Sequence, residues 1–262
     1  MAPKDWRVAG VSLAGFSHLE NGSACQDAHR LNSIPNGWFV AVASDGAGSA
    51  ARAAEGAAIV CKEVADYLVV RIDEQRQRGL SPLDPIVARQ LVESAVKKAL
   101  DNLNGLVAGS GGSLAQFHAT LIGAVAGPDG GFFFHVGDGA ACAMCSDDLS
   151  QYIISPPENG EYANETFFVT QDIWQDHLRL TLFGDNFNLI VLMTDGVTPY
   201  ALARQSSGPA IPFFDPIVEF LLTHPPKEDE AALTSLLQRD AIRRITADDK
   251  TFVWGFKVKT RD

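Results

Sequence analysis

WFVAVASDGAGSAARAAEGAA, residues 38–58, is an apolar run that stops at Asp45-Gly46, followed almost at once by an Ala-rich segment. The run is short and rich in aromatic and β-branched residues, as a buried strand requires, and the segment after it carries strong helix formers. Three readings of the junction compete. Gly46-x-Gly48-x-x-Ala51 between a strand and a helix has the outline of a phosphate-cradling nucleotide loop. Asp-Gly is also an ordinary turn dipeptide. A carboxylate at a strand end is, thirdly, a place to hold a metal. The nucleotide loop is the poorest of the three, because Asp45 would repel a bound phosphate. A dinucleotide fold also wants an acidic residue about twenty positions on, at a second strand end, whereas Asp66 falls inside the helical pattern.

The same junction recurs along the chain. FFFHVGDGAA places Asp138-Gly139 after an apolar strand, and NLIVLMTDGVT places Asp195-Gly196 after another. ITADDKTFVW sets Asp248-Asp249 just before a strand, and ACQDAHR puts Asp27 near the N-terminal one. Strand ends on one edge of a sheet converge in space although they are distant in sequence. Carboxylates brought together in this way repel one another unless a cation sits among them. An all-oxygen ligand set suits magnesium or manganese, and zinc is disfavoured for want of a His/Cys cluster.

Outward from these motifs, strands are expected at 8–16, 38–44, 118–127, 131–137, 140–145, 150–155, 166–170, 188–194 and 251–259. Gly127 to Gly131 reads as a hairpin turn. Helices are expected from about Ala50 to Ile72, from Pro85 to about Leu106, and over 228–243. This order lacks the alternation of a parallel doubly wound sheet. It implies an α+β fold, a layered α-β-β-α sandwich of two mostly antiparallel sheets flanked by helices. The breaks at 107–113, 155–165 and 204–216 do not read as domain linkers, so residues 1–262 are expected to form one domain.

Composition narrows the partners. Of 262 residues 46% are hydrophobic, and the net charge is -11, a surface that repels nucleic acid and anionic membrane. Four cysteines are too few for a disulfide scaffold, and the opening MAPKDWRVAG has no apolar signal core. A reducing, cytoplasmic setting is the expectation. Cys142-x-x-Cys145 lies in a strand-like run and reads as buried small residues. No cysteine has an Arg six residues on, which excludes a cysteine-phosphatase mechanism. His118 and His135 read as packing residues. Glu161, Tyr162 and Asn164 form either a flap or a plain turn.

Taken in order, six motifs resemble the metal-dependent PP2C (PPM) family of Ser/Thr protein phosphatases. They are CQDAH, VASDGAGSA, GSLAQFHATLIGAVA, FHVGDGAA, LIVLMTDGVT and ADDKTFVW. The resemblance spans about residues 10–257, and GEYANETFFVT is similar to a segment of a compact bacterial single-domain subgroup. It implies that Asp45 bridges two manganese or magnesium ions and that the Gly46 carbonyl contacts one of them. Asp195 and Asp248 would complete the other shell, Asp138 would hold a third ion more weakly, and Asp27 would act from behind or through water. The implied chemistry is attack of a metal-activated water on the phosphorus of phosphoserine or phosphothreonine, without a phosphoenzyme. Asp45, Asp195 and Asp248 are thus the catalytic set. A phosphoprotein substrate follows, and relatives of this subgroup can accompany a Ser/Thr protein kinase and a von Willebrand A-type protein.

The sequence departs from the family pattern at several positions. Gly22 stands where a phosphate-clamping Arg is usual, Ala47 where eukaryotic members carry a general-acid His, and Gln26 where they place a ligand Glu. Gly139 replaces a Ser and Asp249 an Asn. Arg52, His18 and His29 are the candidates to grip phosphate in place of the missing Arg. A catalytically silent module that binds phosphoproteins or partner proteins is the alternative function.

Overall fold

The computed structural model describes residues 6–160, 166–203 and 208–257. Ten strands form two antiparallel sheets. They are β1 (Arg7–Leu13), β2 (Ala28–Ile34), β3 (Trp38–Ser44), β4 (Leu121–Gly127), β5 (Gly130–Val136), β6 (Ala140–Cys145), β7 (Asp148–Ser155), β8 (Arg179–Phe183), β9 (Leu189–Met193) and β10 (Lys250–Phe256). One sheet runs β1-β10-β9-β6-β7 and the other β2-β3-β4-β5-β8. The helices described are α1 (Phe16–Glu20), α2 (Ala53–Gln77), α3 (Pro85–Ser110), α4 (Thr198–Ala201), α5 (Ile211–Thr223), α6 (Asp229–Leu237) and α7 (Asp240–Arg243).

The layers follow from strand alternation. On β3, Phe39, Ala41 and Ala43 face the other sheet, meeting Phe133, Ile190, Leu192 and Val253. The intervening Val40 and Val42 face α2 and α3, against Val60, Val64, Leu68, Val92 and Leu103. β3 is therefore buried on both faces, which is why it reads as a continuous apolar run. The other sheet turns Val191, Met193, Phe252 and Trp254 toward Phe214 and Leu221 of α5 and Leu233 of α6. The expected α-β-β-α sandwich is what the chain forms.

Local chemistry sets several boundaries. Pro85 opens α3, and the Asp84 side chain accepts from the N–H groups of Ile86 and Val87, both at 3.0 Å, a standard cap. Gly111 ends the helix at φ 70°. Gly127 pairs with Gly130 at the β4–β5 hairpin.

Four expectations need correction. Residues 166–170 are not a strand: Thr166 makes one isolated bridge to Asn159, and a turn follows. The aromatic signal there serves stacking instead, Phe167 on His177 and Phe168 on His118. The single helix expected over 228–243 breaks at Gln238 and Arg239 into α6 and α7. β2 and β8 lie at the two edges of one sheet, and their mixed polarity hides them. α5 begins inside the stretch expected to be a break, over 211–216, where Pro212 and Pro216 disguise it. Glu161, Tyr162 and Asn164 lie outside the described residues. Among the described residues, no helix is long and apolar enough to cross a membrane.

Candidate active site

β3 and β5 both run antiparallel to β4, so their C-terminal ends share one edge of that sheet. β9 ends where antiparallel β10 begins in the other sheet. Asp45, Asp138, Asp195 and Asp248 are the residues at or just beyond those ends, and the connection from β5 to β6 crosses between the sheets at Asp138. Hydrogen bonds fix each position. The Asp45 N–H donates to Thr120 Oγ1 at 2.9 Å, and its carbonyl accepts from the Thr120 N–H at 2.8 Å. The Thr251 N–H donates to Thr194 Oγ1 at 2.9 Å, so the Thr194 hydroxyl proton points the other way, to Asp27 Oδ2 at 2.7 Å. Thr166 Oγ1 donates to Asp138 Oδ2 at 2.6 Å.

The glycines after these aspartates share one physical task. A Cβ on Gly46 would lie 2.6 Å from the Ala53 carbonyl oxygen, one on Gly139 2.7 Å from that of Met193, and one on Gly196 1.8 Å from that of Asp249. Each Asp-Gly marks a place where two backbones touch, and that contact draws the carboxylates together. None of the three has a positive φ. Gly46 is therefore required by close approach rather than by a left-handed turn.

Asp45, Asp138 and Asp195 each offer a carboxylate oxygen, and these oxygens all lie within 4.8 Å of one another. Asp248, more exposed, stands outside this triple but lines the same cavity of about 460 Å³. Other lining residues include His18, Gln26, Ser49, Thr166, Phe168, Gln171 and Asp249. Asp27 is buried away from the cavity and faces the Asp45 carboxyl.

Burial and mutual repulsion hold Asp27, Asp45, Asp138 and Asp195 toward their protonated forms. Burial above all, then Asp27 and Asp195, pushes Asp45 well above the ordinary carboxylate range. Burial, then Asp138 and Asp248, raises Asp195 to about 8. Burial raises Asp27 to about 6 against the hydrogen bond from Thr194, and it raises Asp138 as well. Among the described residues buried Asp138 Oδ1 has no hydrogen-bond partner, and the Asp27 carboxyl is directed at that of Asp45. No N–H of the described chain donates to the Gly46 carbonyl. Clustered, unsatisfied, oxygen-only acceptors of this kind fit a hard divalent cation.

The candidates for phosphate grip separate clearly. Arg52 is not at the cavity: its guanidinium makes two 2.7 Å bonds to Glu55 and lies 4.2 Å from the Phe117 ring centroid. His29 bonds Ser12 at 2.8 Å and does not line the cavity. Gly22, where the clamping Arg is missing, is exposed with φ 66°. His18 does line the cavity, with Nδ1 2.8 Å from Asp249 Oδ1. Sequence reasoning placed Asp249 at a strand end but missed the bonds it makes, and it missed Ser49, Thr166 and Gln171 at the cavity wall. Asp249 is 2% exposed and accepts from the Gly15 N–H at 2.6 Å, the Gln26 N–H at 2.5 Å and His18. The one signal for it was an Asp at the usual Asn position.

The profile of the protein phosphatase 2C family matches residues 14–238. This chain belongs to that family. The match stops short of Asp248, which the fold alone brings to the cavity. Serine/threonine-protein phosphatase 3 of Escherichia coli (strain K12) is 28% identical over 256 residues, covering 94% of this chain and 96% of that protein. Among solved structures, the serine/threonine phosphatase Stp1 from Staphylococcus aureus superimposes with a TM-score of 0.62 at 15% identity, covering 97% of this chain and 96% of that one. The catalytic domain of the serine threonine protein phosphatase PstP, solved with two manganese ions, does so with a TM-score of 0.59 at 14% identity, covering 97% and 99%.

Proposed function

We propose that this chain is a divalent-metal-dependent phosphatase of phosphoserine and phosphothreonine in proteins. The observation that carries the reading is the triple of Asp45, Asp138 and Asp195 within 4.8 Å, at the rim of a cavity in a protein phosphatase 2C fold. Divalent ions bound there supply Lewis acidity toward the phosphoryl oxygens and an activated water. Asp45, Asp195, Asp248 and the Gly46 carbonyl would hold two ions, manganese or magnesium, and Asp138 a third, more weakly. Asp27 supports Asp45 from behind through its own bond to Thr194. A silent binding module has no use for three mutually repelling, half-buried carboxylates, and no observation favours it.

Among the described residues no arginine lines the cavity, so the phosphoryl group must be met there by other donors. The N–H groups of Gly48 and Ser49 and the Ser49 hydroxyl have no partner in the described chain and lie at the cavity. Gln171 accepts from the Phe168 N–H through Oε1 at 3.0 Å, which leaves its amide protons available. These donors replace a charged clamp with a neutral one. The reading extends to a cytoplasmic setting, supported by a cysteine count of four, too low for a disulfide scaffold, and to a cognate kinase and a von Willebrand A-type protein as partners, which co-purification tests.

The deciding experiment is a phosphate-release assay over a panel of phosphoserine and phosphothreonine peptides with added manganese. Hydrolysis that appears with manganese and stops with a chelator is the expected result. Hydrolysis indifferent to chelator would remove the metal mechanism. Failure on every peptide, with manganese shown to bind, would remove the enzyme.

A further inference from the structure

Breaking a phosphoserine ester expels an alkoxide, which leaves far more readily if it is handed a proton as the bond breaks. The carboxylates of the cavity are placed to hold cations, and the hydroxyls of Ser49 and Thr166 are poor acids. Among the described lining residues His18 alone carries an imidazole, the side chain suited to proton transfer near neutrality.

Its mounting matches that task. Nδ1 lies 2.8 Å from Asp249 Oδ1, and among the described residues Nε2, at the opposite side of a ring that is 20% exposed, has no hydrogen-bond partner. Asp249 already accepts from two backbone N–H groups, Gly15 and Gln26, so Nδ1 carries the proton in this contact. A carboxylate behind the ring orients it. α1, which carries His18, is tied down independently. The Ser17 N–H and Oγ both donate to the Ala247 carbonyl, at 3.2 and 2.9 Å. A Cβ on Gly15 would lie 2.3 Å from that same oxygen.

We infer that His18, held by Asp249, is the proton donor to the leaving serine or threonine oxygen. Water oxygen bonds to phosphorus as the ester P–O bond breaks, and its electron pair takes the Nε2 proton to give the alcohol. The second proton of the attacking water passes to solvent, and the imidazole regains one from solvent.

The inference rests on the phosphatase reading, and leaving-group dependence tests it. p-Nitrophenolate departs without a proton, whereas an alkoxide does not. His18→Gln and His18→Ala are compared with the parent on a phosphothreonine peptide and on p-nitrophenyl phosphate. Calorimetric titration of manganese and the melting temperature are followed alongside. The expected result is a loss of about 10²- to 10⁴-fold in kcat on the peptide, near-parental rates on the aryl ester, unchanged manganese binding, and partial recovery of the His18→Ala peptide rate by added imidazole. Equal losses on both substrates with manganese binding intact would make His18 a phosphate ligand and overturn the inference, as would no loss on either. A parent inactive on both substrates would instead overturn the phosphatase reading and this inference with it.

Discussion

At the scale of single residues, the site is built by glycines as much as by aspartates. Gly196→Ala would force a methyl group to within 1.8 Å of the Asp249 carbonyl oxygen. Backbone cannot yield there without moving Asp195 and Asp249, so a loss of about 1–3 kcal/mol is expected, read by chemical denaturation, with activity falling further than stability. Asp195→Asn should keep the fold and reduce manganese-dependent hydrolysis at least about a hundredfold, since even outer partners of a metal site are worth 10–100-fold; a variant with parental kcat would contradict the ligand assignment. The aspartates at issue were legible because each follows or precedes an apolar strand, a local pattern. The bonds of Asp249 were not legible, because Gly15 and Gln26 lie 234 and 223 residues away along the chain. Sequence alone does not reveal which distant N–H groups will point at a carboxylate. Arg52 shows the converse: nearness to the motif suggested phosphate, but Glu55 three residues on and Phe117 claim its charge. Arg52→Ala should leave KM within about threefold of parental and cost about 1 kcal/mol of stability. A large rise in KM would return Arg52 to the site.

At the scale of elements, legibility followed burial. The doubly buried β3, β4, β5, β6 and β9 announce themselves as apolar runs, and α3 by its Asp84 cap and Pro85. Edge strands β2 and β8 carry half-polar sequences because one face or one edge meets water. α5 hides behind prolines, whose cost its buried Phe214, Ile217, Val218 and Leu221 offset. Packing between elements also has a sequence mark that only structure interprets. Gly56, on the buried side of α2, would place a Cβ 2.4 Å from the Phe117 carbonyl oxygen. Gly56→Ala gains up to about 1 kcal/mol in helix propensity and is nonetheless expected to lower the melting temperature, because overpacking against fixed backbone costs about 1–3 kcal/mol. A stabilised variant would show that α2 and the turn at 114–117 separate freely.

At the scale of the whole molecule, two sheets are held face to face while their shared edge concentrates negative charge in a chain of net charge -11. Folding without metal therefore works against electrostatics at this edge, and the pH dependence follows in sign. The Asp195 carboxyl is raised from 3.8 to about 8 in the folded protein, and Asp27 to about 6. A raised acid contributes stability that is fully present below its unfolded value and lost as pH rises through the folded one. Metal-free protein should thus lose stability between about pH 4 and pH 8, by up to about 1.4 kcal/mol per pH unit for each group titrating. Above that window the contribution of these groups is flat. Manganese binds the ionised forms, so the rise in melting temperature that it confers should be larger at pH 8 than at pH 6, with protons released on binding. Asp195→Asn separates this site from the general charge of the surface. Unable to ionise, it should melt above the metal-free parent at pH 8, show a shallower pH slope, and lose most of the manganese increment. Calorimetric scans of both proteins, with chelator and with manganese, decide the matter. A metal-free parent whose stability is level or rising across the window would mean that these carboxylates are not forced together before the ions arrive.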